Sequence, residues 1–201
     1  MFRRADRAQP QPPTLRQSDG GQVFSIGHST RAIEELIAML ADGDITCLVD
    51  VRAIPRSRRH PQFNSDQLAR SLGEAGIEYH HIPSLGGRRS AQKGVVSRNT
   101  LWRVAAFRNY ADYAETPAFA EALAKLERLA RGRPTAYMCA EAVWWRCHRR
   151  LITDYLLVRG WNVVHLLAPA QQEPASLTPG AVAHDDGTIE YAANSAQPRL
   201  I

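Results

Sequence analysis

Val23-Phe24-Ser25-Ile26-Gly27-His28 is followed by apolar residues at Ile33, Leu36, Ile37 and Leu40, and then by Ile45-Thr46-Cys47-Leu48-Val49-Asp50-Val51. Two short apolar runs around an i, i+3, i+4, i+7 spacing read as strand, amphipathic helix, strand. Ser29 or Thr30 offers an N-cap for that helix, and Glu34 and Glu35 fall in its first turn, where the helix dipole favours carboxylates. The alternation continues along the chain. A helix follows Ser65 within Pro61–Gly73, and a strand is expected at Ile77–Ile82. Helices are expected at Asn99–Ala114 and Pro117–Ala130, and a strand at Thr135–Cys139. Arg146–Arg159 then reads as a helix ended by Gly160, and Asn162–Leu167 as a strand. Ala181–His184 and Thr188–Ala192 flank Asp185-Asp186-Gly187, a hairpin turn. Strands that lack strict polar alternation suit a sheet covered on both faces. The regular order of strand and helix makes that sheet parallel. The expected fold is α/β, a mainly parallel sheet flanked by helices in a Rossmann-like three-layer arrangement, with a short C-terminal hairpin.

The 201 residues suit one domain, with residues 21–195 forming it and residues 1–20 an Arg/Pro-rich tail expected to be disordered. No apolar run approaches the ~18 residues of a membrane span, so no membrane partner is expected. Met1 to Ser18 has no apolar stretch of the secretory kind, which points to the cytoplasm. Net charge is +5, and all but two of the 25 basic residues are arginines. A planar guanidinium fork suits phosphate and carboxylate recognition, although codon bias produces the same excess. Cys47, Cys139 and Cys147 are an odd set of three, which argues against a disulfide scaffold and leaves thiol or metal chemistry.

Ligands of open α/β sheets collect beyond the carboxyl ends of the strands. The residues expected there are His28 and Ser29, then Asp50 and Arg52, then His80 and His81, then Cys139 and Glu141, with His165 on the last strand. The densest segment is Met138-Cys139-Ala140-Glu141-Ala142-Val143-Trp144-Trp145-Arg146-Cys147-His148-Arg149-Arg150. A helix N-terminus and neighbouring guanidinium groups favour a thiolate. Cys139 or Cys147 could act as nucleophile with His148 as base. The same three residues could hold a metal such as zinc or iron, with His28, His80 or His81 completing the set, or the two cysteines could pair reversibly. Gly86 and Gly87 let backbone amides approach an anion that Arg88 and Arg89 would clamp. Arg56, Arg58 and Arg59 add a basic cluster on the same edge. Tyr110 and Tyr113 sit at core-packing helical spacing, whereas Trp144 and Trp145 together in a loop could stack a nucleobase.

Several of these stretches resemble the domain of unknown function 488 family of bacteria and archaea. They are Ser25-Ile26-Gly27-His28-Ser29, Leu48-Val49-Asp50-Val51-Arg52, Leu85-Gly86-Gly87-Arg88-Arg89 and Tyr110-Ala111-Asp112-Tyr113, together with the segment from Met138 to Arg149. The likeness runs from Val23 to the C-terminal hairpin. Trp144 departs from it, since similar sequences often carry proline there. The resemblance implies an α/β fold and directs attention to the cysteine segment without implying an activity. A weaker likeness is to rhodanese and phosphatase-type domains, in which a strand ends in cysteine and an arginine-bearing helix follows. Glu141 in that loop departs from it, because a carboxylate repels a bound anion.

The expectation is an enzyme, a thiol- or metal-dependent hydrolase or transferase, acting on an anionic and nucleotide-like substrate. Cys139, Glu141, Cys147, His148 and Arg149 would carry the chemistry. His28, Ser29, Asp50, Arg52, Gly86, Gly87, Arg88 and Trp145 would hold the substrate. The alternatives are a non-catalytic nucleic-acid-binding module, or a metal-binding protein using Cys139, Cys147 and His148.

Overall fold

A computed structural model describes residues 20–94, 96–193 and 200, and the expected leader lies outside them except for Gly20. β1 (Gln22–Gly27) leads through α1 (Ile33–Ala41) to β2 (Cys47–Asp50), and α2 (Ser65–Glu74) leads to β3 (Glu78–His81). α3 (Ala105–Ala114) and α4 (Pro117–Ala130) return the chain to β4 (Thr135–Cys139), and α5 (Arg149–Val158) precedes β5 (Asn162–Ala168). β6 (Gln171–Pro174) follows, and β7 (Val182–Ala183) pairs with β8 (Ile189–Glu190) as the expected C-terminal hairpin. The six-stranded sheet has the order β3-β2-β4-β1-β5-β6, with all pairings parallel except β5 with β6.

Side-chain alternation along each strand divides the core into two layers. Leu48, Ala136 and Met138 face α1 and α2, where Leu36, Leu40, Leu68 and Leu72 are fully buried. Cys47, Val49, Tyr137 and Cys139 face α3, α4 and α5, packing with Tyr110, Phe119, Leu123 and Leu151. Burial of each leucine contributes about 1.5–3 kcal/mol, so either face is enough to hold its helices on the sheet. Cys47 is core, as its strand position suggests. α4 begins as its sequence dictates: Thr116 accepts from the Phe119 N–H at 3.4 Å and Pro117 occupies the first turn, where its missing N–H costs nothing. No helix among the described residues is long and apolar enough to cross a membrane.

The structure corrects four local expectations. α1 starts after Ala32 without a side-chain cap, because Ser29 is turned into the left-handed region (φ 51°) and its N–H pairs with Ala140. The helix expected from Asn99 starts at Ala105, since Leu101 exchanges backbone hydrogen bonds with Tyr191 and Leu200 instead. The helix expected from Arg146 starts at Arg149, because Trp144–Arg146 forms a 3-10 turn and Cys147 is extended. β6 carries no apolar signal. It is a polar edge strand, and Pro174 is tolerated at its end because that edge needs no further donor.

Asn99 ties the C-terminal segment to α3. Its amide donates to Asp112 at 2.7 Å and Glu115 at 2.9 Å, and its carbonyl oxygen accepts from the buried Tyr191 N–H at 3.0 Å. Asn99→Ala leaves that N–H without an acceptor and should cost about 1–3 kcal/mol. Urea unfolding followed by intrinsic fluorescence checks this, and the variant should also be cut sooner by protease near residues 181–193.

Candidate active site

β4 lies between β1 and β2, and its pairing continues past the strand ends. His28 N–H donates to the Cys139 carbonyl at 3.0 Å, Ser29 N–H to Ala140 at 2.9 Å, and Val51 N–H to Met138 at 2.9 Å. The three strand exits are therefore fastened side by side beneath a cleft of about 830 Å³. Of the expected residues, His28, Ser29, Arg52, Gly87, Arg88, Cys139, Glu141, Cys147 and His148 line it. Arg56, Arg59 and Arg146 line it as well. Asp50, Gly86, Trp145 and Arg149 do not, and each of these has another place.

At the floor, Cys139, Cys147 and His148 bring their ligand atoms within 4.8 Å of one another. His148 Nδ1 is 3.5 Å from Cys147 Sγ and 3.8 Å from Cys139 Sγ. Its Nε2 lies 3.2 Å from the Val51 carbonyl, which can only accept. The neutral ring therefore carries its proton on Nε2 and turns the Nδ1 lone pair toward both sulfurs. Burial raises the Cys147 thiol, but hydrogen bonding from Cys139, the His148 ring and the Arg149 charge outweigh it and hold it well below the ordinary thiol range. The hydrogen bond to Cys147, with burial behind it, keeps the proton on Cys139 and pushes that thiol well up. Of the two sulfurs, Cys147 is the one these effects favour as the thiolate.

Close backbone approaches hold this floor together. A side chain at Gly87 would sit 2.5 Å from His148 Nδ1, so only glycine lets the loop cover the ring. The loop itself hangs from α3, with Tyr110 donating to the Leu85 carbonyl and Tyr113 to the Ser84 carbonyl, both at 2.8 Å. Tyr110 also packs on the His148 ring, at 5.3 Å between centroids. Gly86 is buried behind the loop, away from the cleft. At Gly27 an added carbon would strike the Glu141 carbonyl oxygen, so β1 must be bare there for the cysteine loop to pass.

Arg149, expected to take part in chemistry, is 1% exposed and does not line the cleft. It donates to the carbonyls of Glu141 at 2.6 Å and Ala142 at 3.3 Å, and to Ser25 Oγ at 3.1 Å. It positions the loop and supplies positive charge from beneath. Asp50 is likewise buried and does not line the cleft. It accepts from the Arg52 side chain, from the Arg52 N–H at 3.0 Å and from Tyr79 at 2.9 Å. Arg52 gives further bonds to the Phe63 carbonyl at 2.8 Å and to His28 Nε2 at 3.2 Å, which leaves one Nη1 proton without an acceptor among the described residues. His28 is then a fixed neutral wall. It donates from Nδ1 to the Ser29 carbonyl at 2.9 Å and stacks on Phe63 at 4.1 Å. Burial and then the Arg52 charge lower its pKa to about 4. Trp144 stacks on His165 at 4.4 Å, and Trp145 stands 41% exposed outside the cleft. His80 turns to Glu78 and Arg133, and His81 donates to the Arg52 carbonyl at 2.8 Å. Neither histidine joins the cysteine cluster.

Tyr110, Phe63 and the Val51 carbonyl were not expected to shape the site. The aromatic residues read as ordinary core, and a carbonyl leaves no sequence signal at all.

Fold and site together define an α/β protein whose sheet carries a cysteine–cysteine–histidine centre at its carboxyl edge, under an arginine rim. The chain belongs to the family described as Domain of unknown function DUF488, whose model matches residues 32–156. That span takes in β2, the glycine loop and the cysteine segment but stops short of β1 and the C-terminal hairpin, so it is narrower than the motifs suggest. No curated protein and no solved structure matches the chain.

Two predictions follow from the buried ionisable groups and from the loop. His28 and His165, with pKa values lowered to about 4 and about 3, bind protons in the unfolded chain before they do in the native one. Stability should therefore rise with pH from about 4 to 6.5. Asp154, raised to about 6 by burial, works in the opposite direction and leaves a net slope of about 1 kcal/mol per pH unit near pH 5. Guanidinium midpoints across this range check it, and His165→Asn should largely flatten the curve. Gly87→Ala should displace the His148 ring or the loop, at a cost of about 1–3 kcal/mol. A changed rate of Cys147 alkylation by iodoacetamide would report the displaced ring.

Proposed function

We propose that this protein is an enzyme of the hydrolase or transferase kind, which holds an anionic, phosphate-bearing substrate of nucleotide size in the cleft and acts on it with the Cys139–Cys147–His148 centre. One observation carries this reading. Three reactive atoms converge on the floor of the cleft, below Arg56, Arg59, Arg88 and Arg146, and none of these arginines has a carboxylate within 4.0 Å among the described residues. Guanidinium groups without internal partners on a concave surface bind phosphate oxygens through charge-assisted hydrogen bonds. A cleft of about 830 Å³ is in the range that small-molecule sites occupy. Glu141, exposed on the rim, is placed to exchange protons with solvent and substrate, while Ser29 and Gly87 offer polar backbone and side-chain groups. Three free cysteines suit a reducing cytoplasm.

Thermal shift and calorimetry with inorganic phosphate, nucleoside monophosphates and the uncharged nucleosides test the binding part. Phosphate-bearing ligands should bind best, and the doubly substituted Arg88→Gln, Arg146→Gln protein should lose about tenfold or more in affinity. Equal binding of charged and uncharged ligands would overturn the reading. Mass spectrometry of bound ligands after incubation tests the chemistry: product should form with the unaltered protein and not with Cys147→Ala. Ligands that bind selectively but stay unchanged would make the cleft a binding module instead.

A further inference from the structure

The three atoms on the floor of the cleft form an unusual set. An imidazole that serves only as a base needs one thiol, yet His148 Nδ1 has sulfurs at 3.5 Å and 3.8 Å. A tetrahedral zinc ion, with Zn–S near ~2.3 Å and Zn–N near ~2.05 Å, sets its nitrogen and sulfur ligands about 3.6 Å apart. The observed separations bracket that edge length, and all three atoms lie within 4.8 Å of each other. The ligand types agree too. Two sulfurs and one imidazole nitrogen suit zinc, whereas magnesium and calcium require oxygen.

The surroundings of the ligands are those of a metal centre. A metal-bound histidine usually donates its second ring N–H to a carbonyl or carboxylate, which fixes the ring and its tautomer. His148 Nε2 does this to the Val51 carbonyl at 3.2 Å. Gly87 covers the ring and Tyr110 packs on its face, so the nitrogen is pre-aimed. Cys139 comes from the end of β4 and Cys147 from the turn before α5, two rigid elements locked by the core. Neither sulfur is in a disulfide.

We propose that Cys139, Cys147 and His148 hold one zinc ion whose fourth position opens into the cleft. All three ligands line that cleft, so the open position meets the space bounded by Arg88, Arg146 and Glu141. Zinc with two thiolates and a neutral imidazole carries no net charge. The buried Arg149 beneath the same loop adds a positive one, so the fourth position favours an anion, either hydroxide or an oxygen of the substrate. Three protein ligands with one open position is the arrangement of catalytic rather than structural zinc. The proposal deepens the reading above by naming the cofactor of the same centre, and it rests on that reading only for where the substrate lies.

The test uses the full chain, purified without chelator, and needs no substrate. Elemental analysis should find one zinc per chain. Cobalt(II) added to the chelator-stripped protein should give the intense visible bands of a tetrahedral ion together with sulfur-to-cobalt charge transfer. Loss of an outer hydrogen bond weakens metal binding by 10–100-fold, so Cys139→Ser and Cys147→Ser, which remove a direct ligand, should weaken cobalt binding by more than about 100-fold. Cys47→Ala, in the strand core, should keep one equivalent. Folded protein with substoichiometric zinc and no sulfur-to-cobalt band overturns the proposal, and so does full metal retention in both serine variants. Should those variants fail to fold, the cobalt spectrum of the unaltered chain decides alone. Metal absent with phosphate selectivity intact refutes this proposal only. Metal present with no phosphate selectivity refutes only the earlier one.

Discussion

The insertion of β4 between β1 and β2 is the constraint on which the rest depends. β1 and β2 are joined by a single crossover, yet they are not neighbours, because a strand made almost ninety residues later fills the space between them. Parallel ladders hold it in register, and three further hydrogen bonds extend the pairing beyond the strand ends at His28, Ser29 and Val51. These bonds place the Cys139 exit next to those of Gly27 and Asp50 with no freedom to slide. A slip of one residue would turn Cys139 to the α1 and α2 layer, since side chains alternate between faces.

On this frame the charges divide into two kinds. Arg52 and Arg149 are buried and use most of their donors within the protein, one on a carboxylate and one on carbonyl oxygens. They fix the walls and floor. The rim arginines are exposed and, among the described residues, unpaired with carboxylates. Moving cations between these two classes would be costly, because a buried guanidinium without its acceptors suffers the full loss of hydration. The wall is also kept neutral by its neighbours: His28 stands between a guanidinium and a carbonyl, so it takes up no second proton near neutral pH.

Most of the fold was legible in the sequence, because apolar period is a local property. The i, i+3, i+4 pattern of α1 and the apolar runs of β1, β2 and β4 each report their own burial. β6 was not legible. Gln171-Gln172-Glu173 has nothing to bury, and its strand conformation comes entirely from hydrogen bonds offered by β5. The start of α3 failed for the same reason, since residues after Asn99 answer to a distant C-terminal segment. In the site, reactive residue types were visible and their directions were not. Arg149 looks like its neighbours in sequence but turns into the core. Trp144 and Trp145 are adjacent, yet one is stacked on His165 and the other faces outward.

Cys147, His148 and Arg149 are consecutive, yet their side chains go to different partners: a sulfur and a ring for the floor, the ring anchored to the Val51 carbonyl, and a guanidinium for the loop above. Cys147 is extended, His148 caps α5, and Arg149 begins it. Inserting or deleting one residue between Cys147 and Arg149 would change which residue opens α5 and so set Cys147 and His148 about 100° out of phase with Arg149. No single substitution could then return all three side chains to their partners. The spacing of this segment is therefore under as much constraint as its composition, and relatives that share the site should differ here by replacement and hardly ever in length.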